Sequence, residues 1–409
     1  MQELNLKLSN GKSVYSWCPI FEEDTFQQIE KITHLPFVEH MAIMPDAHYG
    51  VSCPIGGVIG CKNVVVPNFV GVDIGCGMAT FKTNLKKTDI IKKQEIHEKI
   101  DTSIPMGFSH NTDQRMEKLK LKYYDIMEHI WTVTFQNHTD LPIVVPFEAL
   151  FQQLGTLGGG NHFIEMQYDE EDYIWIMVHS GSRNIGKKVC DFFNKIALTK
   201  HSTEIPYLEI DSLEGQQYLR WMNLCLEFAY YNRKVMLEDI KTELLSFFPN
   251  MEIININNSQ ILNIHHNYAV LENHFGKNLM VHRKGATLAA IDTMGIIPGS
   301  MGSTSYIVQG RGNPYSLHSC SHGAGRNSGR NEFNKLYNTE EKLQEIRESL
   351  KDVVYSNFET AVSKKGKSLA MLDVSEAPQA YKDITEVIKN ELDLITPKIK
   401  LKPLLNWKA

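Results

Sequence analysis

No uncharged apolar run of about 18 residues, the length a bilayer-crossing helix needs, occurs in this chain. The opening Met1-Gln2-Glu3-Leu4-Asn5-Leu6-Lys7 lacks the basic region and apolar stretch of a secretory signal. These absences argue against a helical membrane protein and point to the cytoplasm. Cysteine is sparse and scattered, at positions 18, 53, 61, 76, 190, 225 and 320, with no Cys-x-x-Cys pair. That fits reduced thiols better than a disulfide frame or a zinc ribbon. An excess of positive charge is also missing: 42 Lys and Arg against 48 Asp and Glu leave a formal charge of −6. A nucleic-acid partner would therefore need local basic surface. The candidates are Lys118 to Lys122, Lys187-Lys188, Lys364 to Lys367 and the tail Lys398 to Lys408, each of which alone reads as a solvated face. Nor is there a low-complexity linker, a fixed-period repeat or a compositional break, so one continuous catalytic domain over residues 1–409 is expected.

What is abundant is glycine beside histidine. Gly158-Gly159-Gly160-Asn161-His162-Phe163-Ile164-Glu165 and Ser321-His322-Gly323-Ala324-Gly325-Arg326 both set a histidine inside glycine. Glycine lets backbone N–H groups approach a phosphate, and imidazole can ligate a metal or attack phosphorus. Val72 to Gly77, Val178 to Arg183 and His265-His266-Asn267-Tyr268 carry the same mixture. Short β-branched runs at Ile55–Ile59, Val64–Val66 and Phe69–Ile74 predict strands that deliver Asp73 and Cys76 on a turn; Tyr173–Val178 predicts a buried strand ending at His179. Apolar residues at helical spacing from Tyr218 to Phe247 predict one long helix or a broken pair. Further helices are predicted over 339–365 and Asp383–Leu394. Strands and helices intermix without a regular βαβ rhythm, so the expected class is α+β, mixed sheets packed with helices around a deep metal and nucleotide cleft.

Asp73 and Cys76 lie three apart on a glycine-containing turn, close enough for a carboxylate and a thiolate to reach one cluster. His162, His179 and His266 are candidates to complete it. Thiolate, imidazole and carboxylate together suit Zn²⁺, Mn²⁺, Fe²⁺ or Co²⁺ rather than Mg²⁺ or Ca²⁺. His34, His40, His97, His110, His129, His138 and His201 lack such surroundings and are read as ordinary core or surface residues.

Seven ordered segments, Met44–His48, Gly71–Gly77, Leu154–Phe163, His179–Arg183, Pro298–Gly302, His322–Arg326 and Ala380–Lys382, resemble the RtcB family of RNA-splicing ligases from about residue 40 to about residue 390. The resemblance implies a GTP-dependent ligase that uses two Mn²⁺ ions. It would join an RNA 3′-phosphate or 2′,3′-cyclic phosphate end to a 5′-hydroxyl through a guanylylated histidine. Carried over residue by residue, that histidine is His322. Asp73, Cys76 and His162 match one manganese site, and Cys76, His179 and His266 the other, with Cys76 as the bridge. Asn161, His162, Phe163, Ile164, Glu165, His266, Asn267, Pro298, Gly299, Ser300, Met301, Ser305, His322, Gly323, Ala324, Gly325 and Lys382 match the guanine-nucleotide pocket. Glu165 and Ser305 are candidate base readers, and Arg183, Arg326 and Arg330 candidates for gripping phosphates.

Gly329 stands where the family pattern has serine, and His318 and Cys320 precede the nucleophile. Residues 101–150 and 200–215 resemble nothing specific, which makes them the expected seat of RNA selectivity. Two rival readings remain: a dinuclear phosphoesterase acting on RNA ends, and a nucleotide-binding paralogue without ligase activity.

Overall fold

A computed structural model describes residues 1–136, 140–337, 339–355, 363–364, 367–368 and 374–408. Among the described residues the strands form a six-stranded sheet, a nine-stranded sheet and three two-stranded pairs. The order in the smaller sheet is Gln2–Lys7, Ser13–Ser16, Val38–His48, Ile55–Cys61, Lys277–Lys284 and Asn267–His274. The main path of the larger is Ile253–Ile254, Gly77–Lys86, Tyr173–Ser180, Phe163–Tyr168, Ile395–Trp407, Ser305–Gly310 and Met294–Ile297. Leu262–His265 pairs beside Gly77–Lys86, and Val354–Tyr355 runs parallel to Ile395–Trp407. The architecture is α+β, as the intermixed pattern predicts.

The predicted long helix is unbroken, Leu213–Phe247. The Ser212 side chain accepts from the Gly215 N–H at its start, no proline interrupts it, and Pro249 disfavours helical backbone at Phe248. Trp221, Cys225 and Phe228 pack against Phe193 of the Arg183–Lys200 helix. Met236, Leu237 and Ile240 pack against Ile176 and Val178 of the large sheet. The same helix thus joins both cores, and Trp221→Ala should cost about 3–5 kcal/mol. None of the described helices is long and apolar enough to cross a membrane.

Three expectations need correction. Phe69–Ile74 is not a strand: Pro67 starts the short helix Pro67–Val70, and Gly71 (φ +92°) and Gly75 (φ +74°) turn the chain after it. The helix predicted over 339–365 is Glu340–Ser349, followed by the Val354–Tyr355 strand; residues 356–362 lie outside the described residues. The basic tail is mostly strand Ile395–Trp407, whose exposed Lys398, Lys400 and Lys402 alternate with the inward Ile399 and Leu401. Its place between Phe163–Tyr168 and Ser305–Gly310 makes it a central strand.

Register gathers the site at one end of the larger sheet. Gly77 pairs with Ser180 and with His265, while Phe163 pairs with His179. The residues just beyond those pairs are Cys76, His162 and His266. His266 is also the single residue between a strand of the larger sheet and Asn267–His274 of the smaller one. The site therefore lies where the two sheets meet.

Candidate functional site: a metal cluster beside an oriented histidine

Gly75 takes a left-handed φ and lies against Ala229 and Cys225 of the long helix, so the turn carrying Asp73 and Cys76 packs tightly onto the core. Asp73 Oδ2 lies 2.8 Å from His162 Nε2. Cys76 Sγ is 3.5 Å from His162 Nε2 and 3.2 Å from His179 Nε2, and His179 Nε2 is 3.3 Å from His266 Nε2. The donors fall into two triads, Asp73/Cys76/His162 and Cys76/His179/His266, sharing the cysteine.

Backbone carbonyls set the tautomers. His162 Nδ1 donates to Leu157 O at 2.9 Å and His179 Nδ1 to Asn161 O at 2.9 Å. A carbonyl can only accept, so in the neutral rings both Nε2 lone pairs face the cluster. Asp73 Oδ1 and His266 Nδ1 are buried without a hydrogen-bond partner among the described residues. Facing lone pairs and an orphaned carboxylate oxygen fit a cation and little else.

The electrostatics agree. Burial, followed by neighbouring imidazoles, holds His179 and His266 well below the usual histidine range, so both are neutral ligands. Burial pushes Asp73 up, but a proton held between its carboxylate and His162 Nε2, which a bound cation would replace, outweighs it and the carboxyl stays below its usual range. Burial and then Asp73 drive the Cys76 thiol well up. A bound cation reverses that, because ligation requires the thiolate and expels its proton. Beneath the cluster the buried Arg233 guanidinium donates to the carbonyls of Gly75 (2.9 Å) and Ser180 (2.8 Å), clamping the segments that carry Cys76 and His179.

His322 stands next to this cluster, its ring 4.9 Å from that of His266 and nearly perpendicular to it. The fully buried Asp46 carboxylate accepts from His322 Nδ1 at 2.6 Å and from the His322 backbone N–H at 3.0 Å. In the neutral ring this contact places the proton on Nδ1 and the lone pair on Nε2. Gly285 (φ +61°) makes room for this ring: a Cβ there would lie 3.0 Å from His322 Cε1. Glu391, fully buried, accepts from the Ser321 N–H at 2.9 Å and from its hydroxyl, fixing the loop from the other side.

Both groups border a cavity of about 520 Å³, within the range of nucleotide-sized sites. All but four of the residues expected around the nucleotide line it; the exceptions are His162, Ile164, Ser305 and Lys382. His162 belongs to the metal cluster. Ile164 is fully buried in the core, and Ser305 Oγ is buried, accepting from Gln167 Nε2 (2.9 Å) and Gly299 N–H (3.1 Å). Lys382 lies apart from the others: its ammonium donates to the carbonyls of Ala47 (2.6 Å) and Pro45 (3.3 Å) and borders a neighbouring cavity of about 310 Å³. The lysines that line the main cavity are Lys284 and Lys408, the latter 5.7 Å over the Phe163 ring. Glu165 lines the cavity, and burial pushes its carboxyl up to about 8.

At the mouth, Glu376 gathers charge. Its carboxylate meets Arg326 Nη1 (3.1 Å), Arg330 Nε (2.8 Å) and Lys408 Nζ (2.8 Å), and accepts the Tyr381 hydroxyl. With Lys284, four cationic side chains line the cavity against the carboxylates of Asp73 and Glu376, so the local balance is positive on a protein whose total is −6. Arg183 is placed elsewhere, anchored to Thr156 Oγ1 (3.0 Å) and Gly107 O (2.8 Å). The other basic patches are largely paired, as Lys122 is with Glu238 and Lys187 with Asp191. Side chains of 364–367 lie outside the described residues. The unusual neighbours of His322 turn aside: His318 packs on His274, Cys320 is fully buried, and Gly329 caps a short helix with open space around it.

An α+β fold with this donor set and an oriented histidine beside it brings together the groups that metal-assisted chemistry at phosphorus requires. Comparison with known proteins narrows that chemistry. A family model described as tRNA-splicing ligase RtcB matches residues 28–409. The RNA-splicing ligase RtcB of Escherichia coli K12 is 35% identical over 407 residues, covering 91% of each chain. The tRNA-splicing ligase RtcB of Methanococcus maripaludis is 31% identical across 94% of this chain and 91% of its own. That of Nanoarchaeum equitans is 30% identical across 92% and 90%. The chain belongs to the RtcB family of RNA-splicing ligases.

Asp46, Arg233, Glu376 and Lys408 received no role from sequence reasoning. Asp46 sits inside Met44–His48, a segment already singled out, so a carboxylate near a nucleophilic histidine was a readable signal. For the other three no local pattern marks the partner.

Proposed function

We propose that this ligase uses GTP to join RNA 3′-phosphate or 2′,3′-cyclic phosphate ends to 5′-hydroxyl ends, with His322 as the nucleotide carrier. The observation that carries the reading is the Asp46–His322 pair abutting the two-triad cluster. His322 Nε2 attacks the α-phosphorus of GTP, a P–N bond forms, and the bond to pyrophosphate breaks. The positive charge that develops on the ring spreads to Nδ1–H and is stabilised by the Asp46 carboxylate. Arg326, Arg330 and Lys408 neutralise phosphate oxygens at the mouth, and Glu165 faces the base. A cyclic phosphate end is hydrolysed to the 3′-phosphate, which takes GMP from His322; the 5′-hydroxyl then attacks and GMP leaves. Asp73, Cys76, His162, His179 and His266 would hold two divalent cations, Mn²⁺ by family resemblance, which supply Lewis-acid polarisation of phosphoryl oxygens. Residues 1–409 would act as one catalytic unit in the cytoplasm, where the free cysteines stay reduced.

The test is covalent labelling. With Mn²⁺ and α-labelled GTP the protein should acquire acid-labile label. His322→Ala should lose it and lose joining of ordinary ends, yet still seal RNA already carrying a guanylylated 3′ end. Label that persists in His322→Ala overturns the reading.

A further inference from the structure

The strip beside the metal cluster carries an aromatic side chain that the chemistry above does not use. Phe108 is 102% exposed, a full benzyl group in water. It stands on the turn Met106-Gly107-Phe108-Ser109, closed by Ser109 N–H to Met106 O at 3.1 Å, with Gly107 at φ +62°. The turn is held at several points. Gly107 N–H donates to Gly158 O (2.9 Å), Leu157 N–H to Pro105 O (2.9 Å) and Arg183 Nη2 to Gly107 O (2.8 Å). Just beyond, Asn111 Nδ2 donates to Phe151 O (2.8 Å) and Leu154 O (2.7 Å). An exposed aromatic is thus displayed from a backbone fastened to the segment leading into His162.

Between Phe108 and the cationic mouth the chain offers only glycine. A Cβ on Gly159 would sit 3.7 Å from Gly107 Cα, and one on Gly160 would sit 3.7 Å from Arg330 Nη2. Gly158 is buried beneath Arg183 and His162, so Gly159-Gly160 is the bare backbone, with Phe108 and Arg183 at one end and Arg330 at the other. Bare backbone admits close approach, guanidinium attracts phosphate, and an exposed ring stacks on a base. These are the three components of a site for single-stranded nucleic acid. The positive local balance favours a polyanion over a second copy of this acidic chain.

We propose that Phe108 is a base-stacking residue for an unpaired nucleotide of the RNA end being joined, with that strand lying along Gly159-Gly160. The proposal rests on the reading of the chain as an RNA ligase. The ring stands on a segment bound directly to Gly158, so it contacts a nucleotide near the reacting end, and duplex RNA, whose bases are already stacked, gains nothing from it.

The experiment uses the full chain with Mn²⁺ and a short single-stranded oligoribonucleotide bearing a 3′-phosphate. Because Phe108 is fully exposed, Phe108→Ala should fold as the parent does and take GMP label from GTP at the parental rate. Its dissociation constant for the oligonucleotide should rise by about tenfold, the order one base–aromatic stack supplies, with duplex binding unchanged. Phe108→Trp should restore affinity and lose fluorescence on adding the RNA. Parental affinity of Phe108→Ala for the single strand overturns the proposal, as does equal loss for single strand and duplex. A change in sedimentation with unchanged RNA affinity also overturns it and assigns the face to a protein contact. Loss of GMP labelling in the parent protein defeats the ligase reading instead, which keeps the two failures apart.

Discussion

The floor and the mouth of the cavity handle charge in opposite ways. On the floor, carbonyls fix the His162 and His179 tautomers, burial keeps His179 and His266 neutral, and the donors wait for a cation. At the mouth, Arg326, Arg330 and Lys408 share Glu376, whose carboxyl burial would raise but Lys408 and Arg330 hold down at about 2. The floor sets neutral imidazoles beside the Asp73 carboxylate, ready for a cation; the mouth stores positive charge for an anion. Low dielectric sharpens both, since facing lone pairs and clustered cations each cost most where water is scarce. One chain thus prepares adjacent sites for ligands of opposite sign.

The sharpest way to break this contrast is at the junction. Asp46→Asn would offer His322 Nδ1 a donor in place of an acceptor and turn the ring to the wrong tautomer. Single-turnover guanylylation should fall by about three to four orders of magnitude with metal content unchanged. A parental labelling rate would remove Asp46 from its orienting role.

Next comes the floor alone. Cys76→Ser replaces a bridging thiolate by an alcohol that resists deprotonation. Both cations should weaken together, by more than the ~100-fold that loss of an outer partner costs. Metal analysis finding one ion at parental affinity would show that the triads do not share the sulfur.

The mouth is tested by two lysines of the same type in different places. Lys408→Ala should raise KM for GTP by about tenfold or more, the scale of one charge-assisted hydrogen bond, with kcat less affected. Lys382→Ala, which strips a donor from the Pro45 and Ala47 carbonyls, should instead show mainly as a lower melting temperature. The reverse pattern would return Lys382 to the nucleotide.

The smallest effect lies in pH. Burial pushes Glu391 up to about 8, so the folded protein keeps a proton that the unfolded chain releases near pH 4, and stability falls as pH rises between about 4 and 8. Glu376, held down, behaves oppositely: its contribution is complete above about pH 4 and is lost as pH falls toward 2. Melting curves across pH should show Glu391→Gln flattening the alkaline side and Glu376→Gln the acid side. Identical slopes in both variants would remove the distinction between the two carboxyls.

Much of the floor was legible because Asp73 with Cys76, His162 and His179 sit in glycine-containing segments and His266 in a His-His-Asn run, and ligand chemistry restricts residue type. The Leu213–Phe247 helix was legible because periodicity survives without interruption. The mouth was not. Glu376 has no periodic neighbour, and its partners Arg326 and Lys408 come from 50 residues before it and 32 after, a pairing made only by tertiary structure. Lys382 and Lys408 are chemically identical; their roles differ because one ammonium meets backbone carbonyls and the other a cavity. The Ile395–Trp407 strand was hidden for a related reason. Lys398, Lys400 and Lys402 read as a solvated tail until the period of two is set against a sheet.

That strand lies between Phe163–Tyr168 and Ser305–Gly310 although it follows both in sequence. A ribosome makes its neighbours first, so the growing chain carries two strand edges with unpaired N–H and C=O groups facing each other across an empty slot. Such edges invite pairing with other chains. Strand closure, which also brings Asn406 to Glu165 and Lys408 to Glu376, comes late in synthesis. The mature cavity exists only once that strand has closed the slot.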